Sequence, residues 1–258
     1  MEMQFTEDEI HRYSRHILLP EVGGVGQAKL RASSVLIVGA GGLGSPLALY
    51  LAAAGVGRIG IIDDDRVELS NLQRQIAHGV ADLGRQKAIS AAEAVRAINP
   101  DVTVQTHIAR LDAGNVHGLI ADYDLVCDGS DNFPTRFLLA DACVAGHRTL
   151  VSASVLRFEG QLSTFKPHVH GPCYRCLYPE APPDGLVPSC GEAGVFGAVT
   201  GVMGTLQATE VLKELLGIGE TLAGRLLLWD ALGSRFRTIN VPRDPSCPVC
   251  AGVVRHGG

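Results

Sequence analysis

The stretch VLIVGAGGLGSPLALYLAAAGVGRIGIIDDD, Val35 to Asp65, holds the first residues whose spacing implies chemistry. Gly39-x-Gly41-Gly42-x-Gly44 lies where an apolar strand hands over to a helix of small residues. Such a turn brings main-chain N–H groups at a helix N-terminus up to a phosphate. Asp63, about 20 residues further on, stands where a carboxylate holds a ribose hydroxyl. A nicotinamide dinucleotide and ATP satisfy this pattern equally, and glycines that merely pack helix on strand are the bland alternative.

The next segments separate the two nucleotides. LSNLQRQ places Asn71, Gln73 and Arg74 just beyond the ribose carboxylate, and GRQKA sets Arg85 and Lys87 in the first turn of a helix. Cations there oppose the helix dipole unless an anion joins them. A dinucleotide's pyrophosphate is neutralised mainly by the turn, whereas nucleotidyl transfer from a triphosphate needs several cations and a carboxylate for a metal. DGSDN supplies Asp131, with Asn132 beside it, at the carboxyl end of a strand, where open α/β sheets bind ligands. Taken singly, Arg74 and Lys87 read as surface charges and Asp131 as a helix N-cap. Together on one rim they favour ATP over NAD(P).

Cysteine spacing carries a second chemistry. Cys173-x-x-Cys176 and Cys247-x-x-Cys250 lie far apart in the chain, each with a neighbouring proline suited to a tight knuckle. Four thiolates with no open position mean structural zinc, and a redox dithiol is the lesser alternative. Cys190, in the glycine-flanked VPSCGEAG loop, stands apart as a candidate for covalent chemistry or as a silent loop thiol. Cys127 and Cys143 fall in apolar segments and read as core. Histidines nearest the motifs, His11, His16 and His78, read as structural.

The elements that must position these groups alternate. A capping box at Thr6-Glu7-Asp8-Glu9 opens a helix to about His16, followed by a glycine-rich connector, EVGGVGQAKL. Strands are expected at Ser34–Val38, Arg58–Ile62, Val102–Thr106 and Asp124–Cys127. Helices are expected at Leu43–Ala54, Gln86–Asn99, Asn115–Ala121 and Phe133–Ala145, with Ile98 sharing the buried face of the second. This alternation predicts a parallel sheet covered on both faces. After Gly146 the pattern changes to two strands around a turn at Glu159-Gly160, a loop rich in Pro and Gly, a long uncharged helix from Val195 to about Leu216, and strands at Arg225–Trp229 and Phe236–Val241. The expected class is α/β: a Rossmann-like, mostly parallel sheet in the N-terminal half and a mixed or antiparallel C-terminal half with a four-cysteine zinc knuckle. One domain over residues 1–258 is expected, with a nucleotide-binding half at about 30–150 and a carrier-binding and zinc half at about 151–258.

Composition excludes other classes. A 46% apolar and 19% charged chain is that of a soluble globular protein, and a net charge of −5 without basic runs argues against nucleic-acid binding. The polar N-terminus carries no signal-peptide pattern, and glycines and Pro46 within the uncharged Val35–Gly57 run argue against a membrane span. With unpaired Cys-x-x-Cys motifs, a reducing cytoplasm is expected.

The series Arg12-x-x-Arg15, GAGGLG, DDD…SNLQRQ, GRQK, SDN, CYRCL and CPVC resembles the MoeB/ThiF/HesA family, from about Glu9 to Cys250. That resemblance implies adenylation of the C-terminal glycine of a small ubiquitin-fold sulfur carrier ending in Gly-Gly, with ATP, Mg²⁺ and Zn²⁺. It implies that Gly42 contacts ATP and Asp63 the ribose. Ser70, Asn71, Leu72, Gln73, Arg74 and Lys87 would line the phosphates, and Asp131 with Asn132 would complete the magnesium site. Arg15 corresponds to an arginine that relatives extend across a homodimer to the partner's ATP, and Cys190 to a cysteine that in some members links covalently to the carrier. Molybdopterin, thiamine and tRNA-thiolation carriers are all compatible, with sulfur arriving from a separate donor such as a cysteine desulfurase or rhodanese. An NAD(P) oxidoreductase and a catalytically silent, zinc-stabilised carrier-binding protein are the competing readings.

Overall fold

The computed structural model describes residues 5–183, 186 and 190–253. In chain order its elements are α1 (Glu7–Arg12), α2 (Ser14–Ile17), α3 (Gly23–Ala32), β1 (Ser34–Val38), α4 (Gly44–Ala53), β2 (Arg58–Ile62), α5 (Lys87–Ile98), β3 (Thr103–His107), α6 (Val116–Ala121), β4 (Leu125–Asp128), α7 (Phe133–Ala145), β5 (Thr149–Leu156), β6 (Glu159–Phe165), α8 (Tyr174–Leu177), α9 (Cys190–Ala193), α10 (Gly197–Leu216), β7 (Arg225–Asp230) and β8 (Arg235–Asn240). All eight strands share one sheet in the order β3-β2-β1-β4-β5-β6-β7-β8. Pairing is parallel from β3 to β5 and antiparallel from β5 to β8, as the two halves of the sequence pattern imply.

Every side chain of β1 is buried because successive residues feed opposite faces of the sheet. Val35 and Ile37 join Leu47, Leu51, Ala91 and Met203 in a core beneath α3, α4, α5 and α10. Leu36 and Val38 join Ile120, Val126, Phe137 and Tyr174 in a second core beneath α6, α7 and α8. The sheet reverses direction of winding between β1 and β4, and the carboxyl ends of these two strands open a crevice.

Several expectations need correction. The glycine-rich connector is largely helix α3, because burial of Gln27, Ala28 and Leu30, the last within the first core, outweighs weak helix propensity. The capping box at Thr6 is present, but the first helix breaks at Tyr13, a buried side chain. The hairpin turns at Arg157-Phe158, since Glu159 and Gly160 already pair with Leu156 and Val155. Ile98 is exposed rather than part of the buried face of α5, and β3 is a mostly exposed edge strand.

Asn99 locks the first layer of helices. It is fully buried, its Nδ2 donates to the Tyr13 hydroxyl (2.8 Å) and the Ala52 carbonyl (2.7 Å), and its Oδ1 accepts from Asp101 N–H. Asn99→Ala should therefore cost about 1–3 kcal/mol by leaving buried polar groups unpaired. Chemical denaturation checks this; an unchanged midpoint would show that water replaces the amide.

Candidate active site

The glycine turn is built around one peptide. Gly39 follows β1 with φ +95°, and a Cβ there would lie 3.0 Å from the Gly129 carbonyl oxygen, so both dihedral and contact require glycine. The next residue, Ala40, donates its N–H to Asp63 Oδ2 (2.7 Å), while its carbonyl accepts from His78 Nε2 (2.9 Å). Because a carbonyl only accepts, His78 carries its proton on Nε2, and Nδ1 accepts from Ser90 Oγ at 2.8 Å. Burial holds the His78 imidazole below its ordinary pKa, which keeps this neutral form. The Asp63 carboxyl is pushed up by burial, opposed by the N–H groups of Ala40 and Asp65 and by the charge of Lys87. Gly44 lies against the Gly39 carbonyl where no side chain fits; it packs α4 on β1 and does not line the cleft.

Beyond the turn opens a cleft of about 580 Å³. It gathers Gly39, Gly41, Gly42, Asp63, Arg74, Lys87, Asp131 and Asn132. Lys87, the first residue of α5, is buried and bonded to Asp65 (2.8 Å), while Arg74 Nη1 donates to the Ser70 carbonyl (3.1 Å). Asn132, not Asp131, caps α7, accepting from Thr135 N–H. Asp131 is exposed to the cleft and makes no hydrogen bond or ion pair among the described residues.

Other expected residues lie elsewhere. Ser70, Asn71, Leu72 and Gln73 do not line the cleft; Asn71 closes a short 3-10 turn through Glu68 N–H, and Gln73 packs its main chain near Gly197. Arg85 precedes α5 instead of starting it and is held by Asp82 and Glu93. Arg15 is exposed on α2, outside its own chain's cleft. Cys190 opens α9, and its side chain falls outside the described residues.

In the cleft wall and beneath it lie groups that sequence reading missed. Asp128, buried at the end of β4, accepts from Ser130 N–H (3.0 Å), Ser130 Oγ (2.6 Å) and Ser152 Oγ (2.7 Å). Gln207 of α10 donates to the carbonyls of Asp128 and Val151, and Arg136 of α7 to that of Ser130. Gln75 is buried beside Gly41. The DGSDN pattern carried a signal for Asp128 and its partner Ser130, but Ser152 and Gln207 come from two distant segments. His78 was read as structural; its bond to the glycine turn had no local signature.

The four cysteines of the two pairs converge. Sγ separations are 3.8 Å for Cys173–Cys176, 3.5 Å for Cys173–Cys247 and 3.5 Å for Cys176–Cys250, and all four sulfurs lie within 4.8 Å of one another. A tetrahedron with Zn–S bonds of about 2.3 Å has edges of about 3.8 Å, so the donor set fits that ion. Cys127 and Cys143 are buried, which pushes both thiols well above the ordinary range and leaves them inert.

The chain has counterparts among known proteins. The ThiF family model matches residues 13–249. The sulfur carrier protein adenylyltransferase of Thermus thermophilus is 51% identical over 252 residues, covering 96% of this chain and 93% of its own length. The SAMP-activating enzyme E1 of Haloferax volcanii is 51% identical over 250 residues, covering 97% and 92%. The adenylyltransferase and sulfurtransferase MOCS3 of Bos taurus is 53% identical over 246 residues, which span 95% of this chain and 54% of that protein. In fold, E. coli MccB crystallised with ATP superposes with a TM-score of 0.82 at 22% identity, over 93% of this chain and 75% of that one. With a glycine turn, a carboxylate after β2 and a free aspartate on one crevice, and half-identical relatives aligned almost end to end, this chain belongs to the ThiF family.

Proposed function

We propose that the protein adenylates the C-terminal glycine of a small ubiquitin-fold sulfur carrier, releasing pyrophosphate and preparing the carrier for thiocarboxylate formation. The observation that carries this is Asp131, an unpaired carboxylate in the same cleft as the glycine turn, Arg74 and Lys87. A hydride-transfer site has no use for that set, and a silent binding partner leaves it unexplained.

In the reaction one carboxylate oxygen of the carrier attacks the α-phosphorus, the bond to the β-phosphate oxygen breaks, and pyrophosphate leaves with the electron pair. Two anions must approach, so their repulsion has to be screened. Main-chain N–H groups of the turn at Gly41 and Gly42 meet phosphate oxygens, and Asp63 retains lone pairs for a ribose hydroxyl beyond its two N–H bonds. Lys87 exchanges Asp65 for phosphate, and Arg74 is mounted on the Ser70–Gln73 turn through the Ser70 carbonyl. Asp131, with Asn132 behind it, would hold Mg²⁺, which when bound adds charge stabilisation at the phosphates. No Ser or Cys nucleophile is needed for this step.

The chain acts as one adenylation domain. The exposed position of Arg15 suits delivery to the cleft of a second copy, which makes a homodimer the working unit. Zn²⁺ held by Cys173, Cys176, Cys247 and Cys250 would be structural. Cys190 is the candidate for a covalent carrier link, with sulfur from a separate desulfurase or rhodanese. A cytoplasmic setting is part of this reading, since thiolates free to bind zinc need a reducing compartment. No helix among the described residues is long and apolar enough to cross a membrane.

Carrier-dependent ATP–pyrophosphate exchange tests the assignment: Asp131→Ala should abolish it, and wild-type-like exchange in that variant would end the reading. Arg74→Ala and Lys87→Ala should each lose at least about tenfold in rate, roughly 1.4 kcal/mol. Elemental analysis should return one zinc per chain; a metal-free protein with full stability would remove the tetrathiolate site.

A further inference from the structure

Strand order divides the cleft. Asp63, Asp65 and Lys87 stand on the β2 side of the glycine turn, while β4, β5 and the antiparallel strands stand on the other. Arg136, in the first turn of α7, lines the cleft on that second side. Its Nη2 donates to the Ser130 carbonyl at 2.7 Å, and Ser130 N lies 3.4 Å from where a Cβ on Gly39 would be. The guanidinium is thus about one peptide away from the phosphate-facing turn. Towards the antiparallel half it adjoins Tyr174 and Tyr178, phenols that burial keeps protonated against the pull of its charge.

This cation has an ion-pair partner in Asp128 but keeps donor capacity unused. Its side chain is 12% exposed, and its nearest carboxylate, Asp128, lies 3.9 Å from Nε, beyond hydrogen-bond reach. Asp128 already accepts three hydrogen bonds from Ser130 and Ser152, and Arg136 Nε has no partner. A guanidinium presents five N–H donors in a rigid fork that matches a carboxylate. A role confined to clamping the Ser130 loop would use one of them. Lys87 and Arg74 stand beside Asp65 and the Ser70 carbonyl, on the side of the cleft that the adenylation reading gives to the phosphates.

We infer that Arg136 receives the C-terminal carboxylate of the incoming carrier and presents it to the nucleotide. The inference rests on the adenylation reading, and its test separates the two. The full-length protein, with Mg²⁺ and α,β-methylene-ATP, is titrated with a Gly-Gly-terminated ubiquitin-fold sulfur carrier prepared as free acid and as C-terminal amide. Wild type should bind the acid at least about tenfold more tightly than the amide, and Arg136→Gln should bind both alike with nucleotide affinity within about twofold of wild type. Arg136→Lys keeps a charge beside buried Asp128, so it stays informative where Arg136→Gln fails to fold; it should lose part of the acid preference. Undiminished preference in either variant overturns the inference, as does a wild type that binds both forms equally. A loss of nucleotide affinity matching the loss for both carrier forms assigns Arg136 to the loop clamp and also overturns it. Failure of wild type to bind carrier in either form defeats the adenylation reading instead.

Discussion

Two turns of main chain touch at the carboxyl end of the sheet, Gly39 after β1 and Gly129 after β4. That contact requires a residue without a side chain, and it fixes the distance between the β2 side of the crevice and the loop that carries Ser130 and Asp131. Ala40 is then gripped from both directions, by Asp63 on its N–H and His78 on its carbonyl. With that peptide held, the orientation of the following N–H groups follows from α4 beginning where it does. The shape of this cleft is a property of backbone geometry first and of side-chain charge second.

Much of the parallel half was legible in the sequence because its signals are local. The strands Ser34–Val38 and Arg58–Ile62 and the helix Phe133–Ala145 match their apolar periodicity residue for residue. Local reasoning failed where burial by distant segments decides. The α3 helix forms from an unpromising glycine-rich run because the first core takes in Leu30, with Ala28 buried beside it. The hairpin turn sits at Arg157-Phe158, with Arg157 at φ +54°, while the more turn-like Glu159-Gly160 is drawn into the strand by pairing with β5 and β7.

The same division holds in the cleft. Glycines, Asp63 and Asp131 could be read from motif and strand position. Which cations are spent on internal pairs could not, because Arg85 with Glu93 and Lys87 with Asp65 are settled only by how a helix lands on its neighbours. Asp128 draws its donors from the β4–α7 loop and from β5, and its carbonyl is capped from α10. Such a network has no sequence period, and its members look like ordinary serines and glutamines until the fold assembles them.

The four thiols meet at the base of a loop that contains α10, β7 and β8. Restraining so long a segment by a single pin is effective, since the entropy of joining chain ends grows only with the logarithm of the length between them. Within that segment α10 has a second anchorage, the Gln207 amide inserted between the main chains of β4 and β5. The two outer strands have no equivalent key into the parallel layer among the described residues. Unpinning the base would therefore release the molecule in stages, the outer strands peeling away while the keyed helix still roofs the parallel half of the sheet.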